Sequence, residues 1–260
     1  MNNLVRITKD KDIAVITIDN PPVNALSPGV PEGIWAAIDE ININDEINSD
    51  PAVKAAVVIG GGRTFVAGAD IKEFGKMTSG GPRRSILPLL LHIEDSGKPV
   101  VMAIHGQAFG GGLELAMAGH YRVASPTAQV GQPEVNLGII PGAGGTQRLP
   151  RLVGKGLALQ MVLSGEMITA QEAHRIGLVN EVTAAAELIP RAEAIAAKIL
   201  ANAPLAVQYA MEAVNKGMEM TLAEGLYLEA TLFGVCCATE NKKEGTTAFL
   251  EKRAAAFKGK

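Results

Sequence analysis

Two glutamates beside glycine-bearing loops are the residues of this sequence best suited to acid–base chemistry. Glu114 follows directly after the three glycines Gly110–Gly112, and Glu134 ends the segment Gly131–Glu134. Two carboxyl groups in opposite protonation states can take a proton from one atom and deliver one to another. The sequence therefore predicts a pair of acid–base groups at Glu114 and Glu134.

The glycine loop before Glu114 is itself suited to hold negative charge. It follows the apolar run Val100–Ile104, which is typical of a buried strand, and it precedes Leu113–Ala118, which has the pattern of a helix. Glycine lets a backbone approach a ligand closely, and the first amides of a helix carry the positive end of its dipole. We therefore predict an oxyanion hole next to the two carboxyl groups.

Both carboxyl groups also have a purely structural interpretation. In the first turn of a helix, Glu114 would favour the helix dipole even on an exposed surface. Glu134, which follows Pro133, has the position of an ordinary turn residue. The three glycines before Glu114 favour the chemical role for that residue.

The elements that must position these loops follow a recurring pattern of strand, strand and helix. The pattern occurs about three times before residue 145, a spacing like that of a structural repeat. The polar segment Lys9–Asp12 is predicted as the turn between the first two strands. Predicted strands lie at 5–7, 13–18, 55–59, 100–104, 121–124 and 128–130, and predicted helices include 34–41, 71–74, 87–93 and 113–118.

Helices dominate the chain after Pro141. Amphipathic patterns predict helices at 184–200 and 205–216, followed by one or two more within 221–257. We therefore divide the chain into a core that carries the site, residues 1–200, and a C-terminal helical region, residues 201–260. Such an appendage packs on the core or on a neighbouring subunit.

The composition excludes several classes of protein. Hydrophobic residues make up 47% and charged residues 20% of the 260 residues, which indicates a globular chain. The net charge of −3 and the 4% of aromatic residues argue against nucleic-acid binding. Histidine and cysteine are too sparse and badly spaced for a zinc site, so we expect no metal. We expect no membrane association, because no apolar run is long enough to span a bilayer.

Two adjacent cysteines and the two termini bear on the compartment. Cys236 and Cys237 are neighbours, so a disulfide between them would be strained, and the sequence has no other cysteine. The first residues lack a signal or transit pattern, and the last four, Phe257–Lys260, do not match a peroxisomal address. We therefore expect a cytoplasmic protein.

Four glycine-bearing motifs are spread in order over most of the chain. They are FVAGADIKE at 65–73, FGGGLELA at 109–116, GQPE at 131–134 and GIIPGAGGTQRL at 138–149. Together they resemble the enoyl-CoA hydratase/isomerase, or crotonase, family, and as a set they are highly specific. The segment Gly119–Ala124 is particularly similar to the hydratase half of multifunctional β-oxidation enzymes.

The resemblance implies an α/β fold, a superhelix of repeated ββα units with a C-terminal helical region. It implies an acyl-CoA thioester substrate and no cofactor apart from the coenzyme A of that substrate. The family's oxyanion hole maps to the backbone N–H groups of Ala69 and Gly111. Its acid–base pair maps to Glu114, which activates water, and Glu134, which delivers the α-proton. Family members assemble as trimers or dimers of trimers.

Further substrate-binding candidates lie in the same motifs. Asp70 also has the position of a helix cap, which we favour, and Gln132 is equally suited to holding Glu134 or water. Lys72 has the charge to meet a coenzyme A phosphate but is equally typical of a solvated lysine. His105, at the end of a predicted strand, is more typical of a structural histidine. The full set of substrate-binding candidates is Ala67, Asp70, Ile71, Lys72, Gly110, Gln132, Pro141 and Gly142.

The leading hypothesis is hydration of trans-2-enoyl-CoA to 3-hydroxyacyl-CoA. The alternatives are Δ3-Δ2 enoyl-CoA isomerisation and a non-catalytic binding role in the same fold. The presence of both Glu114 and Glu134 favours hydration, because a single carboxylate that shuttles one proton is better suited to isomerisation. The region Met77–Leu91 is expected to shape the acyl pocket, with a mobile loop at Met77–Arg84.

Overall fold

The computed structural model describes residues 3–41, 50, 52–74 and 86–259. They fall into two compact units, Met1–Ala196 and Ala197–Lys260. The strands are β1 (Val5–Asp10), β2 (Ile13–Ile18), β3 (Ala55–Gly60), β4 (Val100–Ile104), β5 (Gln107–Phe109), β6 (Tyr121–Ala124), β7 (Gln129–Gly131), β8 (Met167–Thr169) and β9 (Glu181–Val182). The helices are α1 (Val30–Ile41), α2 (Ile71–Phe74), α3 (Leu87–Glu94), α4 (Gly111–Ala118), α5 (Gly145–Val153), α6 (Lys155–Ser164), α7 (Ala170–Arg175), α8 (Leu188–Leu200), α9 (Pro204–Gly217), α10 (Leu222–Cys237) and α11 (Glu240–Leu250).

The larger sheet forms the centre of the first unit. Its strand order is β1-β2-β3-β4-β6-β9, and every pair is parallel except the antiparallel edge pair β1–β2. Val57 in β3 pairs with Val15 on one side and Val101 on the other. Strands β3 and β4 are buried along their whole length, which explains why their sequences are continuous apolar runs.

The smaller sheet, in the order β5-β7-β8, brings the two glutamate loops together. Phe109 at the end of β5 pairs with Gly131 at the end of β7, in parallel. The amide of Gly110 donates to the carbonyl oxygen of Gly131 at 2.9 Å. Because both strands run the same way, the residues that follow them leave the sheet at the same edge.

Helix α4 lies unusually close to the chain that precedes α2. It is buried on all sides, and a Cβ on Gly112 would overlap the carbonyl oxygen of Val66. Only glycine permits this approach. The requirement explains the third glycine of the Gly110–Gly112 run and fixes the helix start beside residues 66–69.

The structure departs from the sequence predictions mainly at short elements. The predicted turn at Lys9–Asp12 is wrong at its start: Lys9 and Asp10 continue β1, and the reversal is confined to Lys11, which has φ 55°, and Asp12. Strand β5 lies within a segment predicted as loop, and β8 and β9 were not predicted. The loop expected at Met77–Arg84 lies outside the described residues.

The second unit contains the last residues of α8 and helices α9 to α11. Thr221 and Glu224 form a reciprocal capping box at the start of α10, which satisfies two amides of its first turn. Several large apolar side chains of the unit are exposed, among them Leu222, Tyr227 and Phe249. Within the described residues no single helix has the length and apolarity to cross a membrane, although α10 and α11, bent by 76°, meet that test as a pair. The predicted division at residue 200 and the assembly role of this region stay predictions.

Candidate active site

Glu114 is a buried carboxyl group in the first turn of α4. Its side chain is 3% exposed, and this burial contradicts the alternative interpretation of Glu114 as a surface glutamate. Oε1 accepts hydrogen bonds from the amides of Ala143, at 2.8 Å, and Gly145, at 2.7 Å. Burial raises the pKa of Glu114, while the two amides and the charge of Arg148 act in the opposite direction.

Glu134 lies opposite, in the 3-10 helix Pro133–Leu137 that follows β7. Burial raises its pKa to about 7; its own backbone amide lowers the value, and the charge of Glu114 raises it further. The amide nitrogen of the fully buried Gln132, in the orientation that its neighbours require, donates to Glu134 Oε1 at 2.9 Å and Oε2 at 3.0 Å. Gln132 therefore holds Glu134, one of the two roles predicted for it.

The two carboxyl groups thus occupy different environments. Glu114 faces two fixed amide donors and a cation, which favour its ionised form. Glu134 is partly desolvated and sits near another carboxylate, so that both forms are populated at neutral pH. Burial is the largest influence on both pKa values, and the two groups differ in their partners: amides and a cation at Glu114, a second carboxylate at Glu134.

The amides of Ala69 and Gly111 lie close together next to these groups. Gly111 is the first residue of α4, where a backbone N–H has no intrahelical acceptor. The Cβ position of Gly111 is 3.7 Å from the nitrogen of Ala69. In the described part of the chain, no backbone or side-chain acceptor takes up either N–H group. Both donors are therefore available to an oxygen atom placed between them.

The loop that carries Ala69 is held by backbone hydrogen bonds to residues 23–26. Leu26 donates its amide to Gly68, at 2.9 Å, and Ala67 donates its amide to Val23, at 3.1 Å. Gly68 has φ 116°, a conformation that other residues rarely adopt. The backbone direction at Ala69 is thus set by residues 23–26 and not by its own side chain.

The remaining candidates differ in their surroundings. Asp70 accepts from the Ser27 hydroxyl at 2.9 Å and from the Lys72 amide at 3.0 Å, as expected for the helix-capping role. Ile71, 63% exposed, and Lys72 lie at the surface. Pro141 is buried and Gly142 exposed, directly before the Ala143 amide that binds Glu114. His105 Nε2 lies 3.2 Å from the Gly62 carbonyl oxygen, which fits a structural histidine.

The sequence predictions missed the residues that support these groups. Ala143, Gly145 and Arg148 belong to the motif at 138–149, but their residue types alone indicate no role for them. Asn24, 2% exposed, donates its side-chain amide to the carbonyls of Gly61, Thr64 and Phe65. The only local signal for this role of Asn24 is its residue type, an asparagine in a proline-rich loop. Within the described ranges no group of three His, Cys, Asp or Glu side chains is arranged as a metal site.

Comparisons with known proteins agree with this architecture. The sequence profile of the family "Enoyl-CoA hydratase/isomerase" matches residues 8–260. The chain is 43% identical to the crotonyl-CoA hydratase of Syntrophomonas wolfei, over 96% of each chain. It is 44% identical to the short-chain-enoyl-CoA hydratase of Clostridium acetobutylicum, over 97% of this chain and 96% of that protein.

A solved structure gives the same result at the level of the fold. The crystal structure of an enoyl-CoA hydratase from Bacillus anthracis superposes with a TM-score of 0.91 at 35% identity, over 99% of this chain and 100% of that one. The predicted α/β fold class and the family resemblance are therefore confirmed. On its sequence, its fold and these matches, the chain belongs to the enoyl-CoA hydratase/isomerase family.

Proposed function

We propose that this protein adds water to trans-2-enoyl-CoA thioesters and produces 3-hydroxyacyl-CoA. One observation carries the proposal: a buried carboxyl group, Glu114, and a half-buried one, Glu134, lie next to two backbone amides that have no acceptor in the described part of the chain. The relatives named above are called hydratases of short enoyl-CoA substrates. A place in acyl-chain degradation follows from this substrate class.

The amides of Ala69 and Gly111 have the role of an oxyanion hole. Addition of water at the β-carbon moves an electron pair through the conjugated system onto the thioester oxygen. Two fixed N–H donors stabilise the resulting enolate without having to reorganise. The loss of one such donor typically raises the barrier by about 3–4 kcal/mol.

The two glutamates have complementary proton roles. Glu114, whose Oε1 accepts hydrogen bonds from two amides, takes a proton from the attacking water in its ionised form as the oxygen bonds to the β-carbon. Glu134, half protonated near neutral pH, delivers a proton to the α-carbon as the enolate collapses. Water supplies the hydroxyl group and one proton, so the reaction leaves the oxidation level unchanged. We propose that no cofactor takes part apart from the coenzyme A of the substrate.

We further propose a homo-oligomer, a trimer or a dimer of trimers, formed through the C-terminal helices. The support is the exposure of large apolar side chains in the second unit, where Leu222 is 79% and Phe249 81% exposed. Sedimentation equilibrium of the purified chain tests this. A monomer at micromolar concentration would contradict it. The cytoplasmic location stays a proposal, supported by the unpaired cysteines Cys236 and Cys237.

The decisive experiment follows the loss of crotonyl-CoA absorbance with the wild-type chain, Glu114→Gln and Glu134→Gln. We expect each variant to hydrate about 10²–10⁴ times more slowly, because each loses one proton-transfer group. Glu172→Gln, at an exposed glutamate paired with Arg175, is the matched control and should retain full activity. Near-normal turnover in either active-site variant would refute the role assigned to that residue.

The same variants distinguish hydration from the two alternatives. A wild-type chain that shifts the double bond of a 3-enoyl-CoA but adds no water would be an isomerase. A chain that binds acyl-CoA and turns over neither substrate would be a binding protein. Retention of isomerase activity alone in both glutamine variants would favour isomerisation as the main reaction.

A further inference from the structure

Arg148 in α5 lies behind the loop that holds Glu114. Its guanidinium makes a bidentate pair with Glu94, from Nε to Oε1 at 2.6 Å and from Nη2 to Oε2 at 2.6 Å. The third nitrogen, Nη1, donates to the carbonyl oxygen of Ala143 at 2.8 Å. The arginine side chain is 12% exposed, so this arrangement is largely shielded from solvent.

The peptide unit that Arg148 contacts lies between the two amides that bind Glu114. The carbonyl oxygen of Ala143 accepts a hydrogen bond from Arg148, and the N–H of Ala143 donates one to Glu114 Oε1. Gly145, two residues on, gives the second N–H to the same oxygen. A hydrogen bond to the carbonyl of Ala143 therefore restricts the orientation of the peptide units that carry both donors.

This loop needs an external clamp because of its glycines. Gly142, Gly144 and Gly145 surround Ala143, and Gly144 has φ 103°. Glycine loses more conformational freedom on ordering than any other residue, so such a loop does not hold one geometry by itself. A Cβ on Gly144 would overlap Arg148 Nη1, which shows how closely the guanidinium approaches the backbone.

The backbone of Glu94, the partner of Arg148, is held in place at the end of α3. Its backbone carbonyl oxygen lies 3.3 Å from His120 Nε2, and His120 Nδ1 accepts from the amide of Val100 at 3.0 Å. Burial lowers the pKa of His120, so the ring is neutral and its Nε2 proton points to Glu94. The clamp thus joins α3, which leads out of the region expected to shape the acyl pocket, to the loop under Glu114.

We propose that Arg148 and Glu94 are positioning residues for the reaction: the pair orients the amides of Ala143 and Gly145 and so places the carboxylate of Glu114. This assignment rests on the proposed hydratase function, in which Glu114 activates water. The contacts of Arg148 are with Glu94 and the Ala143 carbonyl, so the pair acts through the loop that holds Glu114. Their effect is therefore on the chemical step, and substrate binding is left intact.

The test compares Arg148→Met, Arg148→Lys and Glu94→Gln with the wild type in crotonyl-CoA hydration. For Arg148→Met we expect kcat to fall about 10²-fold while KM changes less than about threefold, since a small misplacement of a catalytic group costs this much. Arg148→Lys keeps the charge but loses the fork geometry, and should retain an intermediate kcat. Glu94→Gln should resemble Arg148→Lys, and the double variant should lose less than the product of the single effects.

The pH profile separates positioning from general stability. The charged groups that face Glu114 among the described residues are Arg148 and Glu134. Removal of the Arg148 charge raises the pKa of Glu114, so the acidic limb of the kcat profile should move to higher pH in Arg148→Met. It should stay in place in Arg148→Lys. A fall in kcat without this difference would overturn the proposal.

The matched control is Arg191→Met, which breaks a bidentate pair with Glu181 at 2.6 and 2.8 Å elsewhere in the same unit. It should leave kcat and the pH profile unchanged. An equal loss of kcat in this control, or an Arg148→Met variant within twofold of the wild type, would contradict the assignment.

A readout without substrate keeps this inference separable from the proposed function. Hydrogen exchange of the Ala143 and Gly145 amides should be at least about tenfold faster in Arg148→Met than in the wild type and in Arg191→Met. A wild-type chain without hydratase activity would refute the proposed function alone. Unchanged exchange at both amides would refute the clamp whatever the activity is.

Discussion

The carboxylate of Glu134 lies directly over the α-carbon of Gly110: a Cβ at that position would be 2.9 Å from Oε1. Gly110 has φ 53° and ψ −122°, a combination that residues with a side chain rarely adopt. It is also the residue through which the chain leaves β5 and enters α4. One glycine therefore serves two purposes: it permits the turn that starts the Glu114 helix and leaves room for the second carboxyl group.

The first prediction concerns this position. Gly110→Ala should lower kcat for hydration at least about 10²-fold, because the new methyl group displaces Glu134 from its place. The strained backbone adds a loss of about 1–2 kcal/mol in the free energy of unfolding. Steady-state kinetics and urea titration measure the two effects.

Gly62→Ala is the matched control for Gly110→Ala. Gly62 also has a positive φ, 68°, but a Cβ there would meet nothing within 4 Å. The Gly62→Ala variant should lose a similar amount of stability and keep the kcat of the wild type. If both variants lose activity equally, strain and not the displacement of Glu134 explains the effect.

The candidate acid–base pair could be proposed from the sequence because its signals are local. Three glycines before Glu114, and a proline before Glu134, constrain the backbone within a few residues of each group. Strands β3 and β4 are continuous apolar runs, so their burial is also apparent from the sequence. The three strands that the sequence did not indicate, β5, β8 and β9, have two or three residues each, show no periodicity and form by pairing with distant partners.

The residues that support the site could not be predicted from the sequence, because their partners are distant along the chain. Arg148 meets Glu94 across 54 positions of the chain, and Asn24 binds carbonyls 37 to 41 positions away. The two groups that hold Glu114 are backbone amides, which every residue except proline possesses. The types of these residues carry no information on their partners until the sheet has brought the loops together.

The second prediction follows from the pKa of Glu134, which burial raises to about 7 from 4.5. Between these values the folded state binds more protons than the unfolded state, so ionisation of Glu134 reduces stability as the pH rises from about 4.5 to 7. Above pH 7 the full cost, on the order of 3 kcal/mol, is present. Glu134→Gln should therefore gain stability relative to the wild type at pH 8 and little at pH 4.5.

Thermal unfolding of both proteins at several pH values measures this difference, in which the titration of groups that do not interact with Glu134 cancels. Glu172→Gln provides a control of opposite sign, because hydrogen bonding to Arg175 lowers the pKa of Glu172. Its stability relative to the wild type should fall as the pH rises. A difference between Glu134→Gln and the wild type that does not vary with pH would show that Glu134 titrates normally.

The third prediction concerns Asn24, which holds the loop before Ala69. Asn24→Asp removes both donor hydrogens and places a carboxylate against the carbonyls of Thr64 and Phe65. We expect a loss of about 2–4 kcal/mol in the free energy of unfolding. The kcat should also fall, because the Ala69 amide is no longer aligned with that of Gly111.

Asn202→Asp is the corresponding control. Asn202 donates its side-chain amide to the carbonyls of Lys198 and Ile199, but at an exposed position. We expect it to lose less than about 1 kcal/mol, because water can satisfy the freed groups, and to keep its kcat. An equal effect of the two substitutions on unfolding in urea would contradict the role given to Asn24.

The last prediction compares two glycines that both lie near the start of a helix. Gly112 is the second residue of α4, where a Cβ would overlap the Val66 carbonyl oxygen; Gly156 is the second residue of α6, where a Cβ would meet nothing within 4 Å. Gly112→Ala forces α4 away from residues 66–69 and should cost at least about 3 kcal/mol of stability, since backbone atoms cannot make room as a flexible side chain does. It also separates the Ala69 and Gly111 amides, so the surviving folded protein should be nearly inactive.

Gly156→Ala should instead stabilise the protein by about 0.5–1 kcal/mol, since alanine loses less backbone entropy in a helix, with unchanged kcat. Opposite shifts of the urea midpoint are thus expected from the same chemical change, and a Gly112→Ala variant as stable and active as the wild type would mean that α4 does not need its close approach to Val66.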